Sequence, residues 1–117
     1  MTDSLLGLFN LDDEIARYKP DEANAAGRRA ETLIKNERLR VVLVTMRTGI
    51  SLHEHSAPGP ITIHVLQGRF KVTYNGIEEE LAVGGLISLD TGVRHEVETL
   101  DEGAFLLTIG WAPKSGF

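Results

Sequence analysis

From Ala30 to Trp111 the chain is cut into short runs rich in Val, Ile, Leu, Thr and aromatic residues, each closed by Gly, Pro, Asn or Asp. A succession of such runs is the pattern of a β-sandwich or barrel. Strands are expected at Ala30–Lys35, Leu39–Arg47, Ile50–His55, Ile61–Gln67, Phe70–Tyr74, Ile77–Leu81, Leu86–Leu89, His95–Thr99 and Phe105–Trp111. Two of the breaks are chemically specific. Asn75-Gly76, between Phe70-Lys-Val-Thr-Tyr74 and Ile77-Glu-Glu-Glu-Leu81, fits a two-residue type I′ hairpin, in which both central residues need positive φ. Pro58-Gly59-Pro60 cannot continue a hydrogen-bonded ladder and must form a loop.

Before Ala30 the pattern differs. Asp12-Asp-Glu-Ile-Ala-Arg-Tyr18 places acidic residues at a helix start and meets Pro20 as a stop, so one short helix is expected, packed on the outside. Asp21 to Gly27 reads as a loop or helical turn. Residues 1–29 are therefore an N-terminal extension and 30–117 the β-barrel, in a single domain of 117 residues with 42% apolar content. The absence of cysteine removes disulfides and thiolate ligands, so any metal must be held by nitrogen and oxygen. A net charge of -5, with no basic run longer than Arg28-Arg29, argues against nucleic acid. The opening residues lack a signal-type segment and no run approaches membrane-spanning length, so the expectation is a cytoplasmic protein with no membrane partner.

Gly49-Ile-Ser-Leu-His53-Glu-His55 and Gly92-Val-Arg-His95 carry the candidate chemistry. On a regular strand His53 and His55 project to one face with Cα atoms roughly 6.5–7 Å apart, and His95 arriving from a distant strand could close a three-nitrogen site. The spacings Gly49-x3-His53-x-His55-x5-Ile61-x6-Gly68 and Gly84-x5-Asp90-x-Gly92-x2-His95-x3-Thr99 resemble the two motifs of the cupin superfamily, the RmlC-like proteins. The resemblance implies an all-β, double-stranded β-helix (jelly-roll) barrel, with His53, His55 and His95 as ligands of a divalent metal ion, Fe, Zn, Ni or Mn. It departs from the family at three positions. Ile61 stands where the family has an acidic ligand, Asp90 where it has proline and Thr99 where it has asparagine. His64 could replace the missing carboxylate only through a bulge, because Ile61, Ile63 and Val65 share one face of the strand and Thr62, His64 and Leu66 the other.

Two functional readings follow. One is a metal-dependent oxygenase or isomerase acting on a small molecule, the other a non-enzymatic small-molecule-binding or sensor cupin without bound metal; both use the barrel cavity. Other residues have plainer readings. Glu54 and Glu78-Glu79-Glu80 are expected on the solvated surface, although Glu79 falls on the Ile77/Leu81 face, so that it is either an interior polar group or the sign of a slipped register. Phe70, Tyr74 and Trp111 are core or pocket wall. Arg47 is an exposed strand-end residue or an anchor for an anionic substrate, and Asp90 either orients a histidine or shapes a turn. The apolar patch Leu5, Leu6, Leu8, Phe9 and the family resemblance together point to a homodimer.

Overall fold

The structure, a computed structural model, describes residues 4–20 and 24–111. Helix α1 spans Leu11–Tyr18, as the acidic start and the proline stop predict. The Asn10 side chain accepts from the Asp13 backbone N–H at 3.1 Å. Asp12, Asp13 and Glu14 fill the first turn, where the free N–H groups favour anions. Ile15 on its inner face is buried against Leu43 and Ala104 on the outer face of the barrel.

Seven strands follow: β1 (Arg28–Lys35), β2 (Leu39–Met46), β3 (Ser51–His55), β4 (Ile61–Tyr74), β5 (Ile77–Leu81), β6 (Leu86–Leu89) and β7 (His95–Gly110). All pairings are antiparallel. The first halves of β4 and β7 belong to different layers. Residues 61–67 of β4 lie between β6 and the second half of β7, which continues through β2 to β1. Residues 70–74 lie between β5 and the first half of β7, which pairs on its other side with β3. The two layers share a core of Val42, Val44, Met46, Ile61, Ile63, Val65, Phe70, Val72, Val97 and Phe105. Phe70 and Phe105 meet edge to face, with ring centroids 5.1 Å apart.

Four of the strands expected from sequence thus merge into two. Ile61–Gln67 and Phe70–Tyr74 are one strand, and so are His95–Thr99 and Phe105–Trp111, which ends at Gly110. The turn signals within them mark bends rather than breaks. The β4–β7 register slips at Gln67-Gly68-Arg69, where Gly68 takes φ of 79° and lets the strand turn from one layer to the other while staying paired. Gly103 on β7 makes the close approach possible, because a Cβ there would stand 1.9 Å from the Gln67 carbonyl oxygen. β1 also begins at Arg28, inside the expected extension, and pairs with β2.

The Asn75-Gly76 hairpin has the expected conformation, with φ of 49° and 76° and Tyr74 facing Ile77 across the turn. Glu79 therefore stands opposite Val72 in the expected register, exposed at the sheet edge, and its carboxylate accepts from the Tyr74 hydroxyl at 3.3 Å. No helix among the described residues is long and apolar enough to cross a membrane. Because open space surrounds the Cβ position of residue 76, Gly76→Val should lose stability through backbone strain alone, about 1 kcal/mol or more. Gly103→Ala should cost more, since its methyl group meets a backbone carbonyl. Urea unfolding of both variants checks this order, and an unchanged midpoint for Gly76→Val would contradict the turn.

Candidate functional site

The alternation that would put His53 and His55 on one face does not run through β3. Leu52 is paired with Val97 and His55 with His95, so His53 and Glu54 together oppose the single residue Glu96. This is a β-bulge. It turns His55, like Leu52, toward the partner that faces the interior, and it leaves His53 exposed at the bulge. The expectation of a shared face rested on a regular strand, and the extra residue removes that regularity.

The structure does bring His55 and His95 together. Their ring centroids are 4.5 Å apart and their planes tilted by 56°. Each ring is held by a backbone carbonyl two residues before it. His55 Nδ1–H donates to the His53 carbonyl at 2.7 Å, and His95 Nδ1–H to the Val93 carbonyl at 3.2 Å. A carbonyl can only accept, so the proton of each neutral ring sits on Nδ1 and the Nε2 lone pair is left free. That is the tautomer a metal or a hydrogen-bond donor requires. His95 is buried, whereas His55 is exposed. Burial pushes the His95 pKa below its ordinary value of 6.5; the Val93 carbonyl opposes that shift and the neighbouring His55 adds to it.

The two rings border a cavity of about 230 Å³. Its apolar wall is Ala57, Pro58, Ile61, Leu107 and Ile109, and its other polar lining is Arg40 and Ser56. Ile61 thus faces the same cavity as His55 and His95, at the position where the sequence motif departs from an acidic residue. His95 also lines a second cavity of about 430 Å³, beside Tyr74, Glu54 and Arg94. His53 lines neither. His64 sits on the outer face of β4, between Ile63 and Val65 of the core, as its parity predicts.

The remaining sequence candidates resolve individually. Glu54 is exposed and ion-paired with Arg94. Asp90 shapes a turn, its carboxylate accepting from the Thr91 N–H at 2.7 Å and its carbonyl from the Val93 N–H at 3.2 Å. The turn is tied to the loop opposite by Gly92 N–H donating to the Ala57 carbonyl at 3.1 Å, so both loops that flank the histidine pair are fixed to one another. Arg47 faces the N-terminal segment, where it donates to the Asn24 carbonyl at 2.6 Å. The arginine inside the barrel is Arg40, which sequence reading passed over. Its parity with Val42, Val44 and Met46, all core residues, is the signal that finds it.

Among the described residues no group of three His, Cys, Asp or Glu is placed to hold a metal ion. Two imidazoles have the tautomer for ligation, and the third donor is not in position. Because the folded state holds His95 neutral, its contribution to stability is present above about pH 6.5 and is lost as pH falls below that value. Stability measured by urea unfolding should therefore rise with pH through this window, and His95→Gln should flatten the slope. An NMR titration should place the wild-type His95 midpoint below 6.5, and a midpoint above it would contradict the burial seen here.

The comparisons with known proteins agree on the architecture. An RmlC-like cupin from Shewanella frigidimarina NCIMB 400 superposes with a TM-score of 0.73 at 20% identity over 97% of each chain. A cupin superfamily protein from Desulfitobacterium hafniense DCB-2 gives 0.71 at 15% identity, over 81% of this chain and 96% of that one. A cupin 2 conserved barrel domain protein from Leptotrichia buccalis gives 0.74 at 24% identity, over 87% of this chain and 47% of that one. No curated protein matches the chain significantly. The Cupin_2 family model, which describes a cupin domain, matches residues 42–110, and with this match spanning more than half of the sequence on a barrel of the same architecture, the chain belongs to the cupin family.

Proposed function

We propose that the chain binds a small organic molecule in the barrel cavity against the His55–His95 pair, and that His53, His55 and His95 together hold a divalent ion there. The observation that carries this reading is the pair itself, two adjacent imidazoles with free Nε2 atoms at the edge of an apolar cavity. An imidazole donor set suits Fe, Zn, Ni and Cu. His53 would join from the bulge, where it is exposed, two residues from His55 and opposite Glu96, the chain neighbour of His95. When bound, the ion supplies Lewis acidity or oxygen activation, which makes the chain an oxygenase or isomerase in class. His55 and His95 orient it, and the apolar wall excludes water from the bound molecule.

A second reading, a metal-free binding or sensor cupin, is favoured by Ile61 and by the missing third donor among the described residues. Titration of untagged protein with Zn²⁺ or Fe²⁺ separates the two. On the metal reading one equivalent binds, His95→Ala weakens binding by at least about tenfold, and His64→Ala leaves it unchanged. Ile61→Glu tightens it, because the new carboxylate adds a charged donor to the cavity wall. The absence of stoichiometric binding by the wild type would leave the metal-free reading.

We further propose a homodimer. Leu5, Leu6 and Leu8 are 63, 59 and 86% exposed, an apolar segment that a second copy would cover. Light scattering at micromolar concentration should give twice the mass of one chain, and the mass of a single chain would contradict it.

A further inference from the structure

Arg40 carries into the barrel a donor that nothing among the described residues satisfies. Across the sheet it stands opposite Ile109, and Ile109 opposite Ile61, so its neighbours in that row are apolar. Its Nε is buried without a hydrogen-bond partner, and among the described residues its guanidinium makes no ion pair. Its guanidinium lies over the face of the Trp111 ring, 5.2 Å from the guanidinium carbon to the centroid. By contrast Arg17, Arg69 and Arg94 are exposed and each is paired with a carboxylate. A buried N–H donor lacking its acceptor is unfavourable unless a ligand brings one.

Among the described residues, none that lines the cavity in front of Arg40 is acidic. Its volume of about 230 Å³ equals some seven or eight waters at about 30 Å³ each, room for a small molecule only. We propose that this cavity is a carboxylate site, in which the planar guanidinium of Arg40 takes both oxygens of a small monocarboxylate whose apolar body rests on Ile61, Leu107 and Ile109 beneath the His55–His95 pair. A singly charged planar group matches one guanidinium fork, while a phosphate dianion carries more charge than the single guanidinium among the described lining residues can match. The proposal rests on the reading that the cavity is the ligand site, and it does not depend on a bound metal.

The test uses EDTA-treated full-length protein with benzoate, its neutral isostere benzamide, pentanoate and inorganic phosphate as probes. The expected result is that benzoate and pentanoate bind, that benzoate shifts the Arg40 Nε–H resonance, and that benzamide binds at least about tenfold more weakly, the size of one charge-assisted pair. Arg40→Met should weaken benzoate binding by a similar factor while its melting temperature stays equal to or above that of the wild type. Arg40→Lys should keep part of the affinity, retaining the charge and losing the fork. Equal binding of benzoate and benzamide, or unchanged benzoate affinity in Arg40→Met, would overturn the proposal while leaving the cavity as a small-molecule site. Competition by phosphate as strong as that by pentanoate would overturn the carboxylate class. No binding of benzoate or pentanoate would overturn the proposal outright, and the metal titration would then decide the cavity reading separately.

Discussion

Strands β4 and β7 carry the molecule, because each runs through both layers of the barrel and they remain paired with one another along most of their length. Their shared bend is possible only because the backbone of Gln67-Gly68 lies against that of Gly103 with no side chain between. From this crossing the rest follows. β7 enters at His95 and leaves at Gly110, so one strand supplies both a histidine at one end and the apolar wall of Leu107 and Ile109 at the other. β4 adds Ile61 to the same chamber and sends His64 to the outer face by parity alone. A residue with a Cβ at position 103 would push the layers apart and separate the parts of the cavity.

The second determining feature is the bulge in β3. A regular strand would turn His55 to the other face and pair a different residue with His95, whereas the extra residue at His53-Glu54 lets His55 face His95 directly. The same distortion brings the His53 carbonyl within 2.7 Å of the His55 Nδ1 and so fixes the ring's tautomer. The turn shaped by Asp90 does this for His95 through Val93. Backbone carbonyls, not carboxylates, thus prepare both imidazoles. The carboxylate side chains near these loops are spent elsewhere, Glu54 on Arg94 and Glu79 on Tyr74.

Much of this was legible in the sequence. Turn chemistry at Asn75-Gly76, the loop at Pro58-Gly59-Pro60 and the two histidine motifs led to the barrel and to two of its polar residues. What escaped was where the chain bends without breaking. Gly68 and the stretch from Leu100 to Gly103 look like turns because a glycine punctuates them, yet pairing continues through them, since the partner strand bends in step. The bulge escaped for a related reason. Nothing in Ser51-Leu-His-Glu-His55 says which residue is the extra one, as that is set by the register with β7 forty residues away. Arg40 was legible by parity with Val42, Val44 and Met46 but carries no motif, and Arg47 drew attention instead because it adjoins the histidine segment.

Membership of the family does not fix the chemistry, because barrels of this kind differ in what they place at the mouth. Here the arrangement is a histidine pair with free Nε2 atoms beside a largely apolar chamber whose described lining includes Arg40 and no acidic residue. Its tautomers are open to direct observation by long-range ¹H–¹⁵N correlation of the histidine rings at neutral pH in metal-free protein. The account predicts that the neutral rings of both His55 and His95 carry their proton on Nδ1 and a bare lone pair on Nε2, and a proton found on Nε2 of either neutral ring would contradict it.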